Sequence, residues 1–574
     1  MTLFEKVTFL KPVITKLFRL LTKRQKMLML LMLFMIIGFS LVETIGISAI
    51  MPFIAVVSDT SLVEDGLYKR VFDFFGFATP ESFIISFGIA IVFFYIFRGI
   101  YFVILTYFTR RYSNSIFKYY SKKAFKINLS IPYKLYAQKN SGQLMHSILS
   151  ESRDVGNVLF HLLRLCSEFF TILMVYSLII IVNWQMTLLI TVILFCIVVL
   201  FLYFLTKITS IQGKIKLTTG RKMSAILKEA LSDIKFIKLK GNESGVLTSY
   251  GNVIDKFTKA DLTTNVLGSI PKGVLESIGF SFLIGFVVII IWRFNDASMV
   301  IPIMSMYALA LFRILPSTSR MIFEVNKIVY SEETINKVYE NLQQTYENEG
   351  EEPVSFENSI RLENISFQYA TGGEVISNVS LKIDKGDKIA FVGESGSGKS
   401  TLIDIITGIH KPVSGTLFVD NVAITNDNIR AWRKKIGYIP QSIYLFDGTV
   451  AENVSFGSKY DEDKIIDALK KANIWDFLSR KDGIYTQVGE GGIQLSGGQQ
   501  QRIGIARAIY DDPKILVLDE ATSSLDNETE QKLMDEIYNV SERKTLIIIA
   551  HRLTTVERCA RKIRVENGIT VMGG

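Results

Sequence analysis

Cysteine is scarce in this 574-residue chain. The three present, Cys166, Cys196 and Cys559, lie far apart without metal-like spacing, which excludes a thiolate metal centre. Two fall in apolar runs and one near the C-terminus, so all three read as packing residues. No cleavable secretion signal is evident, because the first apolar run is too long and lacks a small-residue cleavage site. The short leader before that run contains neither cysteine nor histidine, which excludes a fused cysteine protease.

Apolar surface, by contrast, is abundant. Hydrophobic residues make up 49% of the chain and mean hydropathy is +0.30. The chain is too long for one core, and its apolar residues are unevenly placed. Long blocks precede residue 330; after it, helical and strand-like patches alternate with turns. This predicts a membrane domain over 1–330, a linker over 331–355 and a soluble α/β domain over 356–574.

A bilayer needs about 20 apolar residues per helical span. Six runs qualify: Met27–Val57, Phe83–Phe108, Leu162–Val182, Met186–Leu205, Val266–Trp292 and Val300–Leu315, the last short enough to extend past Pro316. The basic, amphipathic leader is expected to lie at the interface as a helix. Lys16, Arg19, Lys23, Arg24 and Lys26 precede the first run, and similar clusters follow the second and fourth. The short "NWQ" and "RFNDAS" links are poor in positive charge. The positive-inside rule therefore puts both termini and the soluble domain in the cytoplasm. The net charge of +9 is mostly this topology signal, so no nucleic-acid partner is expected.

The loops at about 113–157 and 208–262 are too long to be idle, and their patterning extends the spans as cytoplasmic helices. Outside, "SLVEDGLYKRVFDFFGF" places Leu67, Val71, Phe74 and Phe75 on one helical face. A short surface helix is expected there, with a solvated loop as the alternative.

In the soluble half, "IAFVGESGSGKSTLIDIITG" is a buried strand, a glycine-rich turn and a helix start. Gly393, Glu394, Ser395, Gly396, Ser397, Gly398, Lys399, Ser400 and Thr401 fit a phosphate loop. Its amides can crowd a triphosphate, Lys399 can reach the outer phosphates, and Ser400 can ligate Mg²⁺. Downstream, "KILVLDEATSSLD" is an apolar strand ending in two carboxylates. Asp519 is placed to hold Mg²⁺ and Glu520 to polarise an attacking water; an exposed acidic strand end is the alternative. In "LSGGQQQRIGIARAI", Ser496, Gly497, Gly498 and Gln499 open a helix whose free amides suit a second anion contact. An ordinary serine-capped helix is the alternative.

That LSGGQ segment, between a phosphate loop and a hydrophobic-DE strand, resembles the ATP-binding cassette (ABC) family. The resemblance extends to Tyr369 in "ISFQYA", Gln441 in "IGYIPQ", "SLD" ending at Asp526, and His551 in "IIIAHRL". It implies adenine stacking on Tyr369, Mg²⁺ sensing by Gln441, a nucleotide contact at Asp526 and γ-phosphate bracing by His551, with ATP and Mg²⁺ as cofactors. It also implies a homodimer, since one subunit's phosphate loop and the other's LSGGQ clamp a shared ATP in that family. "TQVGEGG" resembles the exporter element that meets the cytoplasmic loops, with Gly491 where arginine is common. Six spans ahead of one cassette resemble an exporter-type half-transporter: a six-helix transmembrane domain followed by an α/β P-loop domain.

Within the membrane half, Arg98 in "FFYIFRGIYF" is a permanent cation about 11 residues, or roughly 16 Å, from the inner boundary. Lys272 and Arg313 come out at similar depth, roughly 10–15 Å. Each costs about 2.5–3.5 kcal/mol if it faces lipid. They are therefore expected to line an aqueous cavity as a positive belt suited to an anionic headgroup. The alternatives are internal pairs, Arg98 with Glu43 and Lys272 with Glu276; Arg164 and Glu168 are expected to pair. "SLVETIGISAIMPFIAVVSD", "VFFYIFRGIYF", "IKFIKLKG", "YALALFRILPS" and "IGYIPQSIYLFDGTVAENVSFG" resemble the lipid-linked oligosaccharide flippases of bacterial protein N-glycosylation (the PglK type). That resemblance implies ATP-driven flipping of an anionic polyprenyl-pyrophosphate oligosaccharide to the periplasmic leaflet of a bacterial inner membrane. Other readings are an exporter of another amphiphile (a lipid A-type lipid, a drug or a peptide) and an ATP-gated channel or regulator.

Overall fold

The computed structural model describes residues 10–58, 60–64, 66–182, 184–294, 300–344, 348–369, 372–519, 527–550 and 556–572. The chain forms two compact units. One comprises Met1–Leu129 with Lys139–Thr345, the other Ser130–Gln138 with Tyr346–Gly574.

The first unit is helical. Helix α1 (Leu10–Leu20) buries Val13 and Leu17, one turn apart, and the chain just beyond it buries Leu21 on the same stripe. That stripe packs on protein: Lys16 Nζ donates to Asn336 Oδ1 at 2.7 Å. Six long helices follow: α2 (Lys23–Ser58), α4 (Pro80–Leu129), α6 (Ser152–Val182), α7 (Trp184–Ser232), α8 (Glu243–Phe294) and α9 (Val300–Tyr330). Among the described residues, four stretches are long and apolar enough to cross a membrane: Lys23–Val57, Pro80–Leu129, Ser141–Ile180 and Phe195–Ser232. The expected fifth and sixth runs lie on α8 and α9. Helix α9 continues through Pro316, and α4, α7 and α8 carry the apolar runs onward as polar helices. Close crossings use small residues. A Cβ on Gly156 of α6 would meet the Ser113 carbonyl of α4 at 2.6 Å, and Ser113 Oγ donates to the Gly156 carbonyl at 2.8 Å.

Between α2 and α4 stands a short helix, α3 (Gly66–Phe75), where a loop was the alternative. Phe72 and Tyr68 pack toward Val56, Val63 and Phe83. Phe74 and Phe75 remain 83% and 68% exposed; the Leu67 side chain lies outside the described residues. Past α9, helix α10 (Glu332–Gln343) falls within the stretch expected as linker and buries Ile335 and Val338.

The second unit holds two sheets. β1 (Ser359–Gln368), β2 (Glu374–Asp384), β4 (Ser414–Val419) and β5 (Val422–Ala423) form an antiparallel sheet in the order β2-β1-β4-β5. β3 (Lys388–Val392), β6 (Ile436–Ile439), β7 (Ile515–Asp519), β8 (Thr545–Ile549) and β9 (Arg561–Glu566) run parallel in the order β9-β3-β8-β7-β6, with β10 (Ile569–Met572) antiparallel at the edge. β3, β7 and β8 are almost wholly buried, as parallel strands covered on both faces must be. Phe391 pairs with Ile549 and Ile549 with Asp519, so the phosphate loop and the acidic strand end emerge at one sheet edge. The carboxyl edge of a parallel sheet is where such folds bind ligands.

Candidate functional site

The glycine-rich turn joins β3 to helix α11 (Lys399–Ile406). Gly396 and Gly398 adopt φ of +81° and +104°, left-handed values open to glycine at no steric cost. A Cβ on Gly396 would enter open space, whereas one on Gly398 would meet Ile376 at 2.9 Å. Lys399 is buried, and its Nζ donates to the carbonyls of Gly393 at 2.9 Å and Glu394 at 2.7 Å, which curls the turn around the ammonium. Ser397 Oγ is buried without a hydrogen-bond partner among the described residues. An open glycine cradle, an enclosed ammonium and an orphaned hydroxyl at a helix N-terminus fit a nucleotide's phosphates. Ser400, in the first turn, and Asp519, at the end of β7, offer the oxygen donors a Mg²⁺ ion takes. Bound Mg·ATP would supply the activated phosphate that hydrolysis consumes.

Sequence reasoning missed the groups around Asp519. Tyr438, on neighbouring β6, donates its hydroxyl to Asp519 Oδ2 at 2.7 Å. Burial, then that hydrogen bond, raises the Tyr438 pKa above the ordinary tyrosine value. Burial, then the Asp519 charge, pushes the Asp404 carboxyl up to about 6. His410 Nε2 approaches Asp404 Oδ2 at 3.7 Å. Burial, then Lys134, lowers the His410 pKa, so the imidazole is neutral near pH 7 and this approach is not an ion pair. His410 stacks on Phe367 at 4.8 Å and meets Tyr369 edge-on at 5.5 Å. Helix α5 (Tyr133–Tyr136), part of the same compact unit, adds Tyr133 at 5.8 Å from His410 and Lys134 over Phe367 at 5.0 Å. Tyr369 is half-buried, and its hydroxyl bonds Thr401 Oγ1 at 3.1 Å, which ties it to the helix after the phosphate loop.

Gln441 is exposed just past β6. The chain beyond it is held by Arg507, which donates to the carbonyls of Tyr444 at 3.0 Å and Asn453 at 2.8 Å and to Asn453 Oδ1 at 2.7 Å. Only the "AR" inside the LSGGQ helix hinted at that anchor. Ser496 caps helix α12 (Gly497–Ile509) in a reciprocal box with Gln499: Ser496 N donates to Gln499 Oε1 at 2.9 Å, and Gln499 N to Ser496 Oγ at 3.4 Å. The serine thus forms the ordinary cap. Gly497 and Gly498 still face open space, which keeps this terminus approachable. Gly491 sits at φ +64°, so an arginine here would carry left-handed backbone strain. Glu520, Asp526 and His551 lie outside the described residues. β7 and β8 end one and two residues before Glu520 and His551, respectively.

In the helical unit, a cavity of about 350 Å³ is lined by Glu43 of α2, Arg98 of α4, Arg164 and Glu168 of α6, and Arg313 and Arg320 of α9. Arg98 and Arg313, two of the three expected belt cations, come together and both bridge to Glu43. Lys272 does not join them: it is exposed on α8 and outside the lining, with no carboxylate at ion-pair distance among the described residues. The expected Arg164–Glu168 pair is replaced. Arg320 takes Glu168 in a fork, Nε to Oε1 at 2.5 Å and Nη2 to Oε2 at 3.0 Å. Arg164 instead lies 3.7 Å from Glu324, which also contacts His161 at 2.5 Å. The partner switch brings α9 carboxylate and guanidinium groups to α6, which one-turn spacing on α6 could not reveal.

Residues 27–315 match the family model of the ABC transporter transmembrane region, and residues 376–523 match that of the ABC transporter. The ATP-dependent lipid A-core flippase of Saccharophagus degradans is 28% identical over 462 residues, 79% of this chain and 78% of that protein. The uncharacterized ABC transporter ATP-binding protein YwjA of Bacillus subtilis is 30% identical over 457 residues, 77% and 78% of the two chains. A solved bacterial Atm1-family ABC exporter with ATP bound superposes with a TM-score of 0.75 at 20% identity, covering 96% of this chain and 94% of that one.

Proposed function

Because this chain belongs to the ABC transporters, as an ATP-hydrolysing half-transporter of exporter type, we propose that it carries an anionic amphiphile of lipid A type between membrane leaflets. The observation that carries this reading is the arginine-lined cavity. Four guanidiniums face it against Glu43 and Glu168, with Glu324 behind Arg164. One positive charge remains uncompensated by carboxylates, in a part of the chain where each charge costs about 2.5–3.5 kcal/mol. Guanidinium forks match phosphate geometry, and a phosphorylated saccharide head on acyl chains supplies that anion within a lipid. Relatives such as the Saccharophagus degradans protein are named ATP-dependent lipid A-core flippases, which supports this class.

A polyprenyl-pyrophosphate oligosaccharide is the second reading. Its support is that "VFFYIFRGIYF" and "YALALFRILPS", two segments that carry that resemblance, supply the cavity's Arg98 and Arg313. It ranks below lipid A type because none of the similar proteins reported above is named for that cargo.

The chain works as a homodimer in a bacterial inner membrane, with both termini cytoplasmic. Tyr369 stacks on the base, and the phosphate loop from Gly393 to Thr401 holds the phosphates. Ser400, Asp519 and Gln441 hold Mg²⁺, Glu520 polarises the attacking water and His551 braces it. Ser496 to Gln499 of the second copy complete the site, and Asp526 is a further nucleotide contact. The test is transport in reconstituted vesicles, comparing a bisphosphorylated lipid A-type lipid, a polyprenyl-pyrophosphate glycan and an uncharged glycolipid. Transport of the first, with Arg98→Ala and Arg313→Ala each reducing it at least tenfold, is expected. Equal transport of the uncharged glycolipid would refute the anionic reading.

A further inference from the structure

Glu43 stands out among the cavity's carboxylates by how it is bonded. It is 1% exposed, and a single oxygen, Oε1, receives both Arg98 and Arg313. Among the described residues its other oxygen, Oε2, is buried with no hydrogen-bond partner, and so is Arg313 Nε. A buried polar atom left without a partner costs about 1–3 kcal/mol, and more when charged. Saturated pairing is available in the same cavity. Arg320 and Glu168 use both carboxylate oxygens, and Arg320 adds Ser317 Oγ at 3.0 Å. The Glu43 bridge is therefore an incomplete solution at a point where α2, α4 and α9 share a charge.

Two guanidiniums on one carboxylate also leave a net charge of +1 at the cluster. A phosphate group would meet the idle Arg313 Nε and the excess charge. It carries three acceptor oxygens, can take the forks of both arginines including the idle Nε, and brings the missing negative charge.

We propose that Glu43 is a placeholder anion: it occupies Arg98 and Arg313 while the cavity is free of cargo and yields them to the phosphate of an incoming lipid. Exchange of one anion for another keeps an anion on the two arginines throughout, so neither state leaves both guanidiniums bare in an apolar unit. It also sets selectivity, because a neutral headgroup cannot displace a carboxylate from two guanidiniums. The inference rests on the anionic-amphiphile reading above.

The experiment uses the full chain in phosphatidylcholine nanodiscs. The probes are a bisphosphorylated lipid A-type lipid and its dephosphorylated counterpart, and affinity is measured for the unaltered chain, Glu43→Gln and Arg98→Gln. Removing the competitor should tighten binding of the phosphorylated probe about tenfold, with no change for the dephosphorylated one. Arg98→Gln should weaken the phosphorylated probe at least tenfold. If Arg98→Gln weakens binding but Glu43→Gln leaves it unchanged or weaker, Glu43 is only a structural partner, and this inference fails while the cavity reading stands. If neither substitution moves the affinity, the cavity reading itself fails. Should Glu43→Gln not fold, Glu43→Asp keeps the charge but shortens its reach. It should bind the phosphorylated probe about threefold tighter, and weaker or unchanged binding would overturn the proposal.

Discussion

The Tyr438 hydroxyl donates to Asp519 Oδ2 at 2.7 Å across neighbouring parallel strands. It ties that carboxylate, through Oδ2, to the neighbouring strand. Partners of metal ligands typically change metal affinity 10- to 100-fold when removed. Tyr438→Phe should therefore raise the Mg²⁺ concentration needed for half-maximal ATP hydrolysis about tenfold, with little effect on ATP binding measured without Mg²⁺. An unchanged Mg²⁺ requirement would detach Tyr438 from the metal site.

Asp404 gives the cassette a pH dependence. Its carboxyl is raised from the ordinary 3.8 to about 6, by burial first and then by Asp519. The folded state binds this proton more tightly than the unfolded chain does, so the stabilisation is full below about 3.8 and is lost as pH rises through about 6. Asp404→Asn removes the ionisation penalty, on the order of 2–3 kcal/mol above pH 7. The variant's advantage in cassette Tm should thus grow from pH 5 to pH 8. The lowered pKa of His410 acts in the opposite direction but is common to both proteins. A Tm difference independent of pH would rule the assignment out.

Gly491 has a left-handed φ of +64° and open space where its Cβ would stand. The cost of a side chain there is conformational, about 1–2 kcal/mol. Gly491→Ala and Gly491→Arg should each lower the cassette Tm by about 2–8 °C. Gly491→Asn should lower it less, since asparagine tolerates this backbone. Equal losses for all three would point to a steric cause instead.

The two faces of α3 should separate fold from membrane engagement. Phe72 packs among Phe77, Phe83 and their neighbours, so Phe72→Ala should destabilise by about 2 kcal/mol, read as a drop in Tm. Phe74 and Phe75 are mostly exposed, and replacing both with Asn should leave Tm within a degree or two. The same double variant should slow lipid transport in vesicles. Normal transport would show that this apolar face takes no part in moving lipid.

The helical and strand periodicities, the phosphate loop and the acidic strand end were legible along the chain because each is a local pattern. Apolar runs set by bilayer thickness, a glycine turn opening a helix and a buried parallel strand all declare themselves within about 20 residues. Cationic side chains in apolar runs were equally visible, and Arg98 with Arg313 did meet in one cavity. Which anion each cation meets is a different kind of fact. The Arg98–Glu43 pair, named as an alternative, does form, but Glu43 also holds Arg313, 270 positions away, Arg320 rather than Arg164 takes Glu168, and Tyr438 finds Asp519 through strand order alone. Spacing within one helix cannot encode contacts between helices, because they depend on how each helix is rotated against its neighbours. Sequence by itself determined that this chain has an apolar helical half and a phosphate-binding α/β half. Tertiary packing decided which charges are compensated, because Coulomb attraction acts through space and the shortest paths between these groups do not follow the backbone.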